Sequence, residues 1–417
     1  MKRVYTPTRK KTILIVDNDR ILVQIYREKF LRQGFQVEVA ADGEQAQSIL
    51  QQGKIDLVIL DLCLPGKSGV DVLASIRSEF SPEKLPVLVL ANSYLGQRTR
   101  EAEARGATRC VAKTEARPGA IVSLVVELLG ERGGAAVENK VIADAPVTND
   151  LVALFQDEAR QALARLRTGY LALARTEAED LRLAELGEMH QRSHALTGAA
   201  TALELEKIAQ LASGVEALLI ELRAKPQKIT SSVVSTLGQA IDTMAYLTDG
   251  ASAAGLQNLL APRILVVDDE VISREAICLA LGKAKLVAVS LGDSLSAEQL
   301  LKEEHFDLIF LDVEMPGRSG LELCLGLREM PQNRTTPVVF VTAHSDFGTQ
   351  AQSVLSGGND FIVKPFLSVE LAVKTLTWLF RKNIQPQGAD LPAETSSPAA
   401  SAGPALRLAK PSELSIH

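Results

Sequence analysis

Two acidic positions and one lysine recur in this chain at a fixed offset. Asp17, Asp61 and Lys113 return as Asp268, Asp312 and Lys364, each displaced by 251 positions. The surrounding segments repeat in the same register: "ILIVDND" (13–19) with "ILVVDDE" (264–270), and "LDLCLPGKSG" (60–69) with "LDVEMPGRSG" (311–320). Pro86 and Gly106 fall on Pro337 and Gly357. A register kept over about 100 residues marks an internal repeat rather than chance. Carboxylates brought together repel one another unless a cation lies among them. A hard divalent ion that retains several waters, such as Mg²⁺, suits a site of few carboxylates. A lysine beside it can hold a phosphoryl oxygen as a point charge. A single acidic strand end is commonly only a solvated loop, but recurrence with a lysine at the same spacing argues against that reading here.

Short strands alternating with helices must position these groups. In the first copy, apolar runs at 13–16, 55–60 and 86–90 predict buried parallel strands, with weaker strands at 36–40 and 109–112. Helical composition covers 20–33, 43–52, 68–79, 94–105 and 117–129, and Gly34, Gly53 and Gly106 sit where helices should end. Five βα units in about 120 residues imply a doubly wound parallel sheet. Such sheets bind ligands at the carboxyl ends of their strands. Asp17 and Asn18 follow the first strand, Asp61 the third and Lys113 the fifth. The second copy offers Asp268, Asp269, Asp312, Thr342 and Lys364.

The segment between the copies has almost no strand signal. Leu151, Phe155, Ala162, Leu166, Tyr170 and Leu173 form one helical stripe, and further helices are expected at about 179–200, 203–223 and 229–248. We therefore expect a four-helix bundle. The organisation reads as an α/β unit at 11–130, a linker at 131–147, the bundle at 148–250, a linker at 251–262, a second α/β unit at 263–382 and a disordered tail at 383–417, rich in Pro, Ala and Ser.

Bulk properties narrow the function. A net charge of −6 argues against a general nucleic-acid role, which needs a basic face. Cys63, Cys110, Cys278 and Cys324 are dispersed without a CxxC pair, as expected of reduced thiols in a cytoplasmic protein. No apolar run approaches membrane-spanning length, so no membrane insertion is expected.

Among five histidines, "MHQRSHALTGAA" (189–200) places one on a bundle helix near a glycine. Leu186, Met189, Ser193, Leu196 and Ala200 form the expected buried stripe. His194 lies roughly 120° from its centre at about 100° per residue and is expected to face solvent, where Ala195 and Gly198 leave it open to another protein. His190, one turn earlier, is either a helix-face neighbour or a group that tunes the ring's protonation. An ordinary surface histidine is the plain alternative, disfavoured by the setting between two acidic sites.

Taken together, these motifs resemble known families. Both α/β copies are similar to receiver domains of two-component response regulators, which implies the flavodoxin-like fold. The resemblance implies that Asp61 and Asp312 accept a phosphoryl group. It implies that Mg²⁺ is held by Asp17 and Asn18, or by Asp268 and Asp269, together with the acceptor aspartate and the backbone carbonyl of Cys63 or Glu314. The second copy carries the family's full set, with Thr342 as the switch hydroxyl, Phe361 as the aromatic switch and Pro365 after Lys364. The first copy departs at Asn18, Ala91, Cys110 and Thr114. The bundle resembles a histidine-containing phosphotransfer (HPt) domain, whose core reads His-x-x-Lys-Gly; here it is His194 to Gly198, with Thr197 in place of lysine.

The expected function is a phosphorelay in two-component signal transduction. His194 would exchange phosphate with Asp312, and further with Asp61 or a separate receiver. No kinase ATP-binding signature is found, so the partners expected are a separate histidine kinase, other receiver or HPt proteins and a downstream effector. Whether the chain counts as an enzyme beyond carrying phosphate and receiver self-phosphorylation is open. The alternatives are a scaffold in which the first copy is a docking pseudo-receiver, and a phosphate sink.

Overall fold

A computed structural model describes residues 9–92, 96–130, 149–176, 178–250, 262–343 and 356–382. The first unit contains β1 (Thr12–Val16), α1 (Arg20–Arg32), β2 (Gln36–Ala40), α2 (Gly43–Gln52), β3 (Leu57–Asp61), α3 (Gly69–Glu79), β4 (Val87–Ala91), α4 (Gly96–Ala104), β5 (Arg109–Ala112) and α5 (Pro118–Leu128). Its strands are parallel in the order β2-β1-β3-β4-β5. β1, β3 and β4 are buried throughout, which explains their unbroken apolar runs, since both faces of the sheet are covered.

The bundle follows as α6 (Asn149–Arg175), α7 (Glu179–Ala202), α8 (Glu206–Ala224) and α9 (Ser231–Asp249). Phe155, Leu166 and Leu173 of the α6 stripe are buried, as is the whole expected α7 stripe from Leu186 to Ala200. The side chain of Leu151 is outside the described residues.

The second unit contains β6 (Ile264–Val267), α10 (Val271–Lys283), β7 (Ala288–Leu291), α11 (Ser294–Glu303), β8 (Leu308–Asp312), α12 (Gly320–Arg328), β9 (Val338–Thr342), β10 (Asp360–Val363) and α13 (Ser368–Lys382). Its parallel order, β7-β6-β8-β9-β10, repeats that of the first sheet. The fold class is thus two flavodoxin-like parallel sheets flanking an all-α bundle. The expected linkers and tail lie outside the described residues, apart from residue 262, as does residues 344–355 between β9 and β10.

Both sheet units pack on the bundle, by different surfaces. The first uses α1 and the turn after β5 against α7 and α8. Ile21 and Ile25 of α1 join the bundle's apolar cluster. The second uses α13 against α8 and α9, and one continuous core joins bundle residues such as Leu211 and Leu237 to Ile264, Phe310 and Leu376. Polar bonds fix this seam. Ser232 Oγ donates to Glu370 Oε1 at 2.5 Å, and Arg381 Nε donates to Thr243 Oγ1 at 2.8 Å.

Candidate functional site

The repeated loop owes its glycines to geometry. Gly66 and Gly317 have φ of +72° and +81°, a region that L side chains rarely adopt. A Cβ on Gly69 or Gly320 would lie 2.1 or 1.9 Å from the carbonyl oxygen of Asp61 or Asp312. These loops therefore fold back tightly over the strand that carries the aspartate.

In the second unit, Lys364 Nζ lies 2.8 Å from Asp268 Oδ2 and 3.4 Å from Asp312 Oδ1. One carboxylate oxygen from each of Asp268, Asp269 and Asp312 falls within 4.8 Å of the others. Burial, reinforced by Asp268, pushes the Asp312 carboxyl up to about 6. That crowding of negative charge fits a hard dication. Thr342 ends β9 and is buried. Phe361 in β10 is partly buried against the core. Asp269 and Glu314 are exposed.

In the first unit, Lys113 Nζ lies 3.3 Å from Asp17 Oδ2 and 3.1 Å from Asp61 Oδ2. Asp17 Oδ2 is buried and makes no hydrogen bond, so Asp17 and Asp61 also fit a cation. Asn18 is exposed, Cys63 is half-buried, Ala91 ends β4, and Cys110 packs on the core.

His194 departs from expectation. It is 2% exposed, not solvent-facing, and its Nε2 lies 2.8 Å from Asp61 Oδ2 and 3.0 Å from Lys113 Nζ. The periodicity of α7 located the bundle's own core correctly. It had no information on the other helix face, which the first sheet unit covers. Of the two acceptor aspartates, Asp61 is the one in contact with His194 here. Lys285, in the loop entering β7, pairs with Glu115, in the turn after β5. The amino-terminal edge of the second sheet therefore meets the first unit near its carboxyl edge. Asp312 ends β8 at the opposite, carboxyl edge of that sheet.

Sequence reasoning missed two residues. Glu216 on α8 is 1% exposed, and its Oε1 lies 3.1 Å from His194 Nδ1. Thr197, at the lysine position of the motif, donates its hydroxyl to Ser193 O and Glu216 Oε2. Burial and Lys113 oppose a charged His194, yet Asp61 and Glu216 carry it up to about 10. Burial likewise resists charge on Asp61, but Lys113 and His194 hold its carboxyl well below the usual range. Glu216, also against burial, is lowered by His194. A glutamate amid the apolar positions Ala212, Val215 and Leu219 was the available signal. The second missed residue is Asp19, which caps α1 through Oδ1. A Cβ on Gly198 would meet Asp19 Oδ2 at 1.8 Å, so Gly198 is the gap that admits the first unit. Asn92 Nδ2 donates to Ser213 O across the same junction. His190 stacks on His194 with centroids 6.1 Å apart.

The arrangement can pass a group between a carboxylate and an imidazole. The response regulator receiver domain model matches residues 13–125 and 264–375, and the Hpt domain model matches 150–246. The chain is 36% identical over 115 residues to the phosphate regulon transcriptional regulatory protein PhoB of Escherichia coli, covering 28% of this chain and 50% of that protein. It is 32% identical over 121 residues to the two-component response regulator PhoP of Pseudomonas aeruginosa, covering 29% and 52%. The chain thus spans about half the length of these curated relatives. Chemotaxis protein CheY4 of Vibrio cholerae is 27% identical, with 29% of this chain and 99% of that one covered and a TM-score of 0.27. Among the described residues, no helix is long and apolar enough to cross a membrane. The chain belongs to the response regulator receiver family, with two receiver domains flanking an Hpt domain in the architecture of a two-component phosphorelay protein.

Proposed function

We propose that Asp61 and His194 exchange a phosphoryl group within one chain, while Asp312 exchanges with a histidine on a separate protein. The 2.8 Å contact between Asp61 Oδ2 and His194 Nε2 carries this reading. In the resting pair the imidazolium is held between two carboxylates, Asp61 and Glu216. Phosphorylation of Asp61 would replace its carboxylate with an acyl phosphate whose charge Lys113 and Mg²⁺ would offset, and the Nε2 proton would leave to solvent as the pair opens to admit the phosphoryl group. The Nε2 lone pair then attacks phosphorus, the N–P bond forms and the Asp61 O–P bond breaks, returning its electron pair to the carboxylate. Glu216 keeps the proton on Nδ1 and supports the positive ring. Lys113 faces the transferred oxygens.

Mg²⁺ would be held by Asp17, Asn18, Asp61 and the Cys63 carbonyl, or by Asp268, Asp269, Asp312 and the Glu314 carbonyl, and would offset phosphoryl charge. Thr342, Phe361 and Lys364 equip the second receiver for switching. Ala91 offers no switch hydroxyl, which favours the first receiver as a dedicated partner of the bundle. A separate histidine kinase and a separate effector complete the relay, with the chain acting in the cytoplasm.

The test labels the full chain with acetyl phosphate and Mg²⁺. In Asp312→Asn, base-stable label should reach His194 at a rate independent of chain concentration, and Asp61→Asn should abolish it. Label on His194 that survives Asp61→Asn, or needs Asp312, would overturn the proposal.

A further inference from the structure

Around His194 lies a second group of donors besides Asp61 and Lys113. We propose that Cys63, His194 and Glu216 form a transition-metal site of Zn²⁺ type that exists only while the first receiver is docked on the bundle. One donor atom from each residue lies within 4.8 Å of the others. Cys63 comes from the loop after β3, His194 from α7 and Glu216 from α8, so undocking dismantles the site. His194 contributes Nδ1, the nitrogen 3.1 Å from Glu216 Oε1.

Zinc bonds of about 2.0–2.3 Å to N, O and S give tetrahedron edges of roughly 3.3–3.7 Å, so the donors need to close by at most about 1.5 Å. A fourth donor stands beside them. His190 Nε2 is buried without a hydrogen-bond partner, lies 3.9 Å from Glu216 Oε1, and completes the set by a small ring movement. Thiolate and imidazole donors select a softer ion than the all-oxygen sites do, so this site is distinct in chemistry from the Mg²⁺ position beside Asp17. The partly exposed Cys63 gives the ion a way in.

A metal here ties the loop after Asp61 to α7 and α8. It also withdraws electron density from the imidazole through Nδ1, where Glu216 otherwise supplies it. Bound metal therefore holds the receiver–bundle pair closed and slows exchange at Nε2, independently of which way phosphate flows.

The experiment uses the full chain with excess Mg²⁺ to fill the carboxylate sites. Co²⁺ and then Zn²⁺ are titrated, the latter against a chromophoric chelator. One equivalent of Co²⁺ should give a near-ultraviolet thiolate charge-transfer band with four-coordinate visible bands, displaced by Zn²⁺. Cys63→Ser should remove the band, and both Cys63→Ser and His190→Gln should weaken Zn²⁺ at least tenfold. Absence of a thiolate band in the unaltered chain, or its survival in Cys63→Ser, would overturn the proposal without touching the phosphotransfer reading.

Discussion

Replacing Gly198 with alanine should separate the fold of the bundle from its docking. Within α7 the change is favourable, because glycine in a helix interior costs roughly 0.5–1 kcal/mol relative to alanine. The new methyl, however, would stand 1.8 Å from Asp19 Oδ2 and 2.8 Å from its Cγ. Two escapes exist. Asp19 can rotate and abandon Ile21 and Leu22, a lost cap worth about 1 kcal/mol. Alternatively, the receiver withdraws by roughly 1.5 Å to restore ordinary contact. That would stretch the 2.8 Å Asp61–His194 contact beyond hydrogen-bonding range. Docking should weaken about fivefold or more by the first route, and transfer should fall on the order of 100-fold by the second, as for a misplacement of about 1 Å. NMR titration of the imidazole in the full chain should show His194 dropping from about 10 toward its ordinary value, while single-turnover transfer from Asp61 slows. Unchanged titration together with unchanged transfer would refute the docked geometry as the source of both.

Three further outcomes follow from the same structure. Glu216→Gln keeps the shape but removes the charge at His194 Nδ1, so the His194 pKa should fall and transfer from Asp61 should slow by roughly 10- to 100-fold, read by single-turnover labelling and NMR. His194 is raised to about 10 when docked from an ordinary value near 6.5; its contribution to docking is therefore full below about 6.5 and is lost as pH rises through about 10. Asp61, whose carboxyl is depressed, contributes above its ordinary range near 3.9 and loses that contribution as pH falls below it. Protection from hydrogen exchange at the α1–α7 junction, relative to the intrinsic rate at each pH, should thus fall at both extremes, and protection that stays constant from about pH 6 to 11 would contradict the pairing. Lys374→Met leaves Asp360, its 2.8 Å partner, buried with the Trp378 indole and the Phe361 backbone amide as its remaining donors among the described residues. It should destabilise the second receiver by about 3–5 kcal/mol, seen as a lower urea midpoint with the Asp61–His194 contact intact.

Much of this protein was legible from its residues alone. The 251-residue repeat, the five strands of each sheet and the clustering of Asp17, Asp61 and Lys113 follow from local rules. Strand runs, glycine punctuation and loop glycines act over a few residues, and parallel βα topology then brings strand ends together. The bundle's helices and the buried α7 stripe followed from periodicity in the same way. What tertiary structure decided was the partner of His194. Helical periodicity reports how one helix meets its own core, and it cannot say what a second, separately folded unit covers. The burial of His194, the support from Glu216 and the fit of Asp19 over Gly198 arise from contacts between residues more than 20 and up to about 180 positions apart. They depend on where two complete cores come to rest against each other. The contact with His194 falls to Asp61, although Asp312 stands in the copy that keeps Thr342, Phe361 and Lys364.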